Sequence, residues 1–444
     1  MDMINGSIAD KIIKFAIPLA ITGILQQVFN AMDVMIVGRY ASKNAMAAVG
    51  CNAPVIGLMI NLFIGISLGA NVTIARYIGQ VRHKDVKKAV HTAIIIGVIS
   101  GFLVAFLGLV VSRPLLTLMG VPQEVFPMAL IYLRIYLMGM PVILLYNFEA
   151  AIFRSCGDTR TPLFCLIIAG TLNVMLNLFF VRILHMDADG VAIATVASNM
   201  VSAGIMFVIL LRTKSVVRVD FKSFRIDPHI FRVMIRIGVP AGVQAMVFSF
   251  SNMIIQSAIN SLGADIMAAS SAAFNIEIFT YYIVNAFGQA CTTFTGQNYG
   301  AKKIDRCKKV ARYSFMMDLV STLAMSALIF VFADKLVFLF NEDPAVISYG
   351  AIRVRYIMAF YLVNMSIEII SGILRGYGNS LAPAIIAFAG ICGTRIAWVY
   401  TVFLAHPTFQ TLLSCYPISW AVTASILLIY YIFYIKKMRR GFDL

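Results

Sequence analysis

Twelve long apolar stretches divide this chain, and no other feature restricts its fold as tightly. They lie near 12–36, 46–74, 89–111, 128–153, 161–184, 190–211, 234–260, 266–296, 310–332, 345–374, 381–404 and 412–435. A hydrocarbon layer about 30 Å thick is crossed by about 20 helical residues, so each stretch is long enough to span it. With no water there to satisfy backbone N–H and C=O groups, each span must be helical. Composition agrees: 60% of residues are hydrophobic and 13% charged, against about 25% charged in soluble domains. The expected fold is an all-α polytopic membrane protein with twelve transmembrane helices. Several stretches have length to spare for tilting or for extending past the bilayer. The largest connection, 212–233, is basic and joins the sixth and seventh spans.

The net charge of +16 does not point to nucleic acid, because the basic residues sit in short loops between apolar runs. Of 36 Lys and Arg, 27 fall in the two tails and the even-to-odd loops, and 5 in the opposite loops. That asymmetry places both termini in the cytoplasm of a plasma-membrane protein. The other four, Arg134, Arg353, Arg355 and Arg395, fall within or at the ends of spans. The seven cysteines include no CxxC pair and the five histidines no HxxxH pair, so free thiols are expected and no metal site. Nothing before the first span reads as a cleavable signal peptide.

The chain repeats itself. Pro18 and Asn30 match Pro240 and Asn252 at an offset of 222, and Gly79 matches Gly300 at 221. Ile152-Phe153-Arg154-Ser155-Cys156-Gly157-Asp158 matches Ile373-Leu374-Arg375-Gly376-Tyr377-Gly378-Asn379, with Pro162 and Pro383 following. Six spans per repeat return the chain to the same side. Two pseudo-symmetric six-helix lobes are therefore expected, 1–211 and 234–444, joined by the loop 212–233 and related by an axis along the membrane normal. Rocking of such lobes around a cleft would give alternating access.

Polar residues inside the spans carry the functional signal. A carboxylate at a helix centre costs about 2.5–3.5 kcal/mol on the insertion scale, so it should face protein or a cavity. Asp33 lies deep in the first span, and Gln26, Asn30 and Asp33 share one helix face by their spacing. It reads as an exchangeable proton or cation site, or as a structural acid bonded to amides. The stripe favours the first. Asn173 and Asn177 in the fifth span, and Thr195 and Asn199 in the sixth, are each four apart and would line the same lobe. Gln244, Asn252, Gln256 and Asn260 in the seventh span form a stripe, as do Tyr281, Asn285 and Gln289 with Glu277 in the eighth, and Asn364 with Glu368 in the tenth. These would line the second lobe or the cleft. Glu277 and Glu368 are secondary ion-site candidates. Glu149 should form an ion pair with Arg154. Pro18, about four turns before Asp33, removes a backbone bond and kinks its helix, which offers a hinge or a static bend.

At this point the residues resemble a known family. Met32-Asp33-Val34-Met35-Ile36-Val37-Gly38-Arg39, Arg154-Ser155-Cys156-Gly157-Asp158-Thr159-Arg160-Thr161-Pro162, Thr295-Gly296-Gln297-Asn298-Tyr299-Gly300-Ala301 and Leu374-Arg375-Gly376-Tyr377-Gly378-Asn379 are similar to motifs of the multidrug and toxic compound extrusion (MATE) family. The resemblance covers nearly the whole chain. It implies two six-helix lobes and export of cationic or aromatic compounds in exchange for Na⁺ or H⁺. It puts Asp33 on the family's first-helix acid, Asn173 and Thr195 on its polar network, and Pro18 on its bending proline. Two departures stand out. Asn177 replaces a second first-lobe acid, and Phe248 and Asn364 stand where one branch has second-lobe acids. A second-lobe cation site then requires Glu277 or Glu368.

The expected function is secondary active export of a small organic compound by a monomer in the lipid bilayer. Asp33, with Asn30, Asn173, Asn177 and Thr195, couples to H⁺ or Na⁺. Gln26, Asn199, Gln244, Asn252, Gln256, Tyr281, Asn285 and Asn364 line the substrate cavity. No cofactor and no nucleic-acid partner is expected. The rival is a flippase for lipid-linked saccharides, which would need a cationic cavity, whereas few basic residues besides Arg395 fall inside spans. No nucleophile–base–metal constellation supports an enzyme. No P-loop supports ATP-driven transport. A channel would show itself in ion-current recordings.

Overall fold

The computed structural model describes residues 1–442, and among them no strand is present. Twelve helical rods follow one another: α1 (Ala9–Tyr40), α2 (Lys43–Gly79), α3 (His83–Leu118), α4 (Phe126–Met138 continued by Met140–Ser155 after a 48° bend), α5 (Arg160–Ile183), α6 (Ala188–Arg212), α7 (Pro228–Asn260), α8 (Ala264–Gly300), α9 (Ile304–Val331), α10 (Pro344–Gly376), α11 (Leu381–Phe403) and α12 (Phe409–Phe442). A short helix, Ala333–Phe338, lies between α9 and α10. Ten helices are long and apolar enough to cross a membrane, eleven with α4 taken as one bent span. The remaining rod, α8, is 37 residues long. Its polar row of Glu277, Asn285 and Gln289 separates it from that set.

Two compact units form. The first comprises Met1–Asp2 and Ile21–Gly238, the second Met3–Ala20 and Val239–Leu444. They differ from the two halves of the sequence at both ends of the first half. Residues 3–20 belong with the second unit because Met3, Ile12 and Phe15 are buried among Phe287, Ala290 and Phe294. Phe15 and Phe294 meet edge to face at 5.8 Å. The unit boundary thus falls within α1, two residues beyond Pro18, which the helix carries without a break. The connection expected as an inter-lobe loop is docked on the first unit. Val217 and Val219 are buried with Val86, Ala89 and Val90 of α3. His91 meets Ser223 O at 3.1 Å through Nδ1 and accepts from Asp220 N at 3.1 Å on Nε2.

The repeat is visible in each unit's backbone. Val81 and Lys302, 221 residues apart, both adopt a positive φ, 58° and 59°, rare for residues with a Cβ. Gly157 and Gly378, also 221 apart, have φ of 79° and 82°. Each ends a helix in the same way. Asp158 N donates to Phe153 O at 3.0 Å and Gly157 N to Arg154 O at 2.8 Å; Asn379 N donates to Leu374 O at 2.9 Å and Gly378 N to Arg375 O at 2.8 Å. This six-to-one closure satisfies the last carbonyls and favours glycine at the left-handed position. The two Arg-containing motifs therefore stop α4 and α10. Asp158 then starts α5 by accepting from Arg160 N and Thr161 N at 3.1 and 3.0 Å.

Candidate functional site

In the first unit, α1, α5 and α6 bring four of the expected coupling residues together. Asp33 is 8% exposed. Asn177 Nδ2 donates to its Oδ1 at 2.5 Å, and to Asn173 Oδ1 at 3.1 Å. Asn173 Nδ2 reaches Thr195 Oγ1 at 3.4 Å. Thr195 Oγ1 stands 3.5 Å from Asp33 Oδ2 but 2.9 Å from Val191 O. A hydroxyl has one hydrogen, and the shorter contact takes it. The dominant bond to Asp33 is therefore the one from Asn177. Local sequence explains the placement. Asn173 and Asn177 are one helical turn apart on α5, and a π-helical turn, Leu178–Ile183, begins directly after them. Such turns recur at functional positions.

The site presents oxygens: the carboxylate of Asp33, the hydroxyl of Thr195, and the carbonyls of Asn173 and Asn177. Asn177 Oδ1 is sealed and has no donor. An oxygen-only set of this kind suits a proton or a hard cation, because it supplies acceptors and one negative charge. Tyr132 and Tyr136, buried on the first limb of α4, are close enough to act on Asp33 electrostatically. Sequence spacing could not have found them, since they belong to another helix. Asn30 and Gln26 are exposed on α1 and outside this network. Asn199 donates to Thr195 O at 2.8 Å, so its amide group is partly committed to its own helix.

The ion pair expected between Glu149 and Arg154 does not form. Both carboxyl oxygens of Glu149 and Nε of Arg154 are buried without partners. Five residues turn an α-helix by about 140°, so the two side chains leave on different faces.

In the second unit Glu277 and Glu368 are matched with arginines, whereas Asp318, fully buried on α9, accepts among the described residues only from Thr322 Oγ1 at 2.9 Å and leaves Oδ2 unpartnered. Arg353 Nε and Nη2 donate to Glu277 Oε1 and Oε2 at 3.0 and 3.3 Å. Arg375 Nη2 donates to Glu368 Oε1 at 2.5 Å. Neither acid stands free of a fixed positive charge, in contrast to Asp33. The polar stripes are partly self-bonded. Gln256 donates to Asn260 at 2.9 Å and Gln289 to Asn285 at 2.7 Å. Asn364 is half-buried on α10. Asn252 accepts from Arg395 at 2.9 Å. Gln244 is buried with Oε1 unpartnered, and Tyr281 is exposed beside Tyr282. Among the described residues no group of three or more His, Cys, Asp or Glu could hold a metal ion.

Comparison with known proteins bears on this arrangement. The MatE family profile matches the chain twice, at residues 18–179 and 240–401. The chain is 28% identical over 434 residues to the probable multidrug resistance protein YoeA of Bacillus subtilis, across 95% of this chain and 93% of that protein. It is 27% identical over 394 residues to the probable multidrug resistance protein NorM of Thermotoga maritima, across 88% and 84%. Its fold matches that of a multidrug resistance MATE family transporter of the MOP superfamily, solved in an outward-facing conformation, with a TM-score of 0.92 over 99% of this chain and 98% of that one, at 22% identity. The two profile matches coincide with the two copies of the repeat and cover most of the chain. The chain belongs to the MatE family and is a multi-pass membrane transporter, not an enzyme.

Proposed function

We propose that this transporter exports small cationic or aromatic organic compounds across the plasma membrane, with both termini cytoplasmic, in antiport with H⁺ or Na⁺. The observation that carries the coupling is the sealed Asp33 site. It holds one carboxylate, with its shortest bond from Asn177, and no basic residue pairs with it among the described ion pairs. A buried acid without a fixed counter-charge binds a proton or cation whenever the site closes. If the ion binds one orientation of the units more tightly than the other, its gradient drives alternation between them. No bound cofactor enters the cycle. The names of the relatives from B. subtilis and T. maritima, both probable multidrug resistance proteins, support an organic substrate.

The test is efflux of ethidium from proteoliposomes with Na⁺ and pH gradients imposed separately. The wild-type protein should respond to one of them. Asp33→Asn, inserted and folded to the same extent, should lose gradient-driven efflux while still binding the dye. Undiminished gradient-driven efflux by that variant would refute the coupling role of Asp33.

A further inference from the structure

The second unit holds a buried positive charge without an acid. Arg395 is 2% exposed. Its Nε donates to Ser419 Oγ at 3.2 Å, and its Nη1 to Ser251 Oγ at 3.3 Å and Asn252 Oδ1 at 2.9 Å. Its guanidinium carbon stands 4.6 Å from the centre of the Tyr416 ring, and Arg353 lies over the same ring at 5.7 Å. Arg353 is neutralised by Glu277, so this cluster of two arginines and one glutamate keeps one positive charge. Hydroxyls, an amide oxygen and a ring face soften that charge but do not cancel it.

The repeat gives the position its meaning. An offset of 221–222 places Arg395 at the level of Asn173 and Val174, and Asn252 at the level of Asn30, one turn before Asp33. The residue matching Asp33 is Ile255. Where the first unit has an acid surrounded by amide and hydroxyl groups, the second has a guanidinium in a similar shell. The backbone is also special here. Arg395 lies in a five-residue α-helical stretch, Thr394–Trp398, between two π-helical turns, Phe388–Gly393 and Val399–Phe403. Two such turns in one span are unusual and mark functional positions. Asn252 is exposed, as are Gln256 and Asn260 further along the same helix. Amides are costly against lipid, so this face of α7 meets water or solute.

We propose that Arg395, with Asn252 and Tyr416, is a binding site in the second unit for an anionic group on an aromatic compound. A carboxylate, sulfonate or phosphate oxygen takes the place of Asn252 Oδ1 and bonds to Nη1 and Nη2, and the ring of Tyr416 backs the guanidinium. A planar guanidinium suits two-point bonding to such oxyanions. The inference rests on the export reading and adds a class to its substrates: aromatic compounds that carry a negative group are taken at this site, apart from the cations.

The experiment measures binding without any gradient, so its failure is separable from failure of ion-coupled export. Anisotropy of 5-carboxyfluorescein (an anion) and of ethidium (a cation) is titrated with the protein in lipid nanodiscs. Arg395→Gln should weaken carboxyfluorescein binding about ten- to hundredfold, the loss expected for a charge-assisted bond. Ethidium binding should stay within about twofold. Arg395→Lys should recover part of the loss. Asn252→Asp keeps the shape of the site and pairs the arginine with an acid, so it should lose the anion with folding intact, whatever the fate of Arg395→Gln. Inorganic pyrophosphate and farnesyl pyrophosphate are then used as competitors. Competition by both identifies a soluble oxyanion-accepting site, and competition by the lipid form alone identifies a lipid headgroup; both outcomes support the anion site. Absence of saturable carboxyfluorescein binding to the wild-type protein, or equal binding by Asn252→Asp, overturns it.

Discussion

Replacing Glu277 by Gln should destabilise the second unit strongly, and replacing its partner as well should restore most of the loss. Arg353 and Glu277 make two bonds, 3.0 and 3.3 Å long, between side chains only 4% and 11% exposed. At about 3 Å and an effective dielectric of about 20, the direct attraction is about 5–6 kcal/mol. Desolvation of both ions offsets much of this, so the pair's net contribution is small. Removing one partner instead leaves a bare buried charge, which costs about 3–5 kcal/mol. Glu277→Gln keeps the volume and hence isolates the charge. Arg353→Met in the same chain removes the orphaned cation, and the double variant should lie within about 1–2 kcal/mol of wild type. For a unit of about 200 residues, the single variant's loss corresponds to about 6–20 °C in midpoint. Cys291, Cys307, Cys392 and Cys415 are free and buried in the second unit. Their reaction with a thiol-reactive fluorophore during a thermal ramp in detergent reads its unfolding. A single variant within about 0.5 kcal/mol of wild type would refute the assignment of Glu277 to a structural pair. So would a double variant no better than the single one.

Three further outcomes are expected. Asn177→Leu should impair gradient-driven efflux far more than Thr195→Val, because the Asn177 bond to Asp33 is 2.5 Å and the Thr195 contact 3.5 Å; equal losses in the proteoliposome assay would contradict this ranking. Gly170→Ala places a methyl group into the ring of Phe29 on the α5 face that carries Asn173 and Asn177, so it should cost about 1–3 kcal/mol in thermal unfolding and weaken coupling; an unchanged midpoint and unchanged efflux would speak against close packing there. Outside the spans, Asp227 accepts from Ile230 N and His229 N at 3.1 Å each and pairs with Lys88 at 3.4 Å. The Ile230 bond foremost, then Lys88, hold its carboxyl below the ordinary carboxylate value of 3.8. A depressed folded-state value means its stabilisation is present above pH 3.8 and is lost as pH falls below it. Asp227→Asn should flatten that part of the acid-unfolding profile, and an identical profile would show that the contribution is absent.

The fold was legible in the sequence because the bilayer imposes its own ruler. Apolar runs of a fixed length, charges sorted between loops, and a repeat at a nearly constant offset required no knowledge of contacts. The Asp33, Asn173, Asn177 and Thr195 cluster was within reach for a related reason. Intramembrane polar groups are few, and helical spacing places them on shared faces. What each buried group pairs with was beyond that reach. Glu149 and Arg154 are close in sequence yet unpaired, whereas Glu277 and Arg353 are paired across 76 residues. Residues 3–20 belong to the first half of the sequence yet pack with the second unit. Periodicity fixes which side of a helix a residue occupies, but the energy of a buried charge depends on the few ångströms around it. Those ångströms are set by which other helices pack there, so only the tertiary structure decided that Asp33 stands without a cation and Arg395 without an acid.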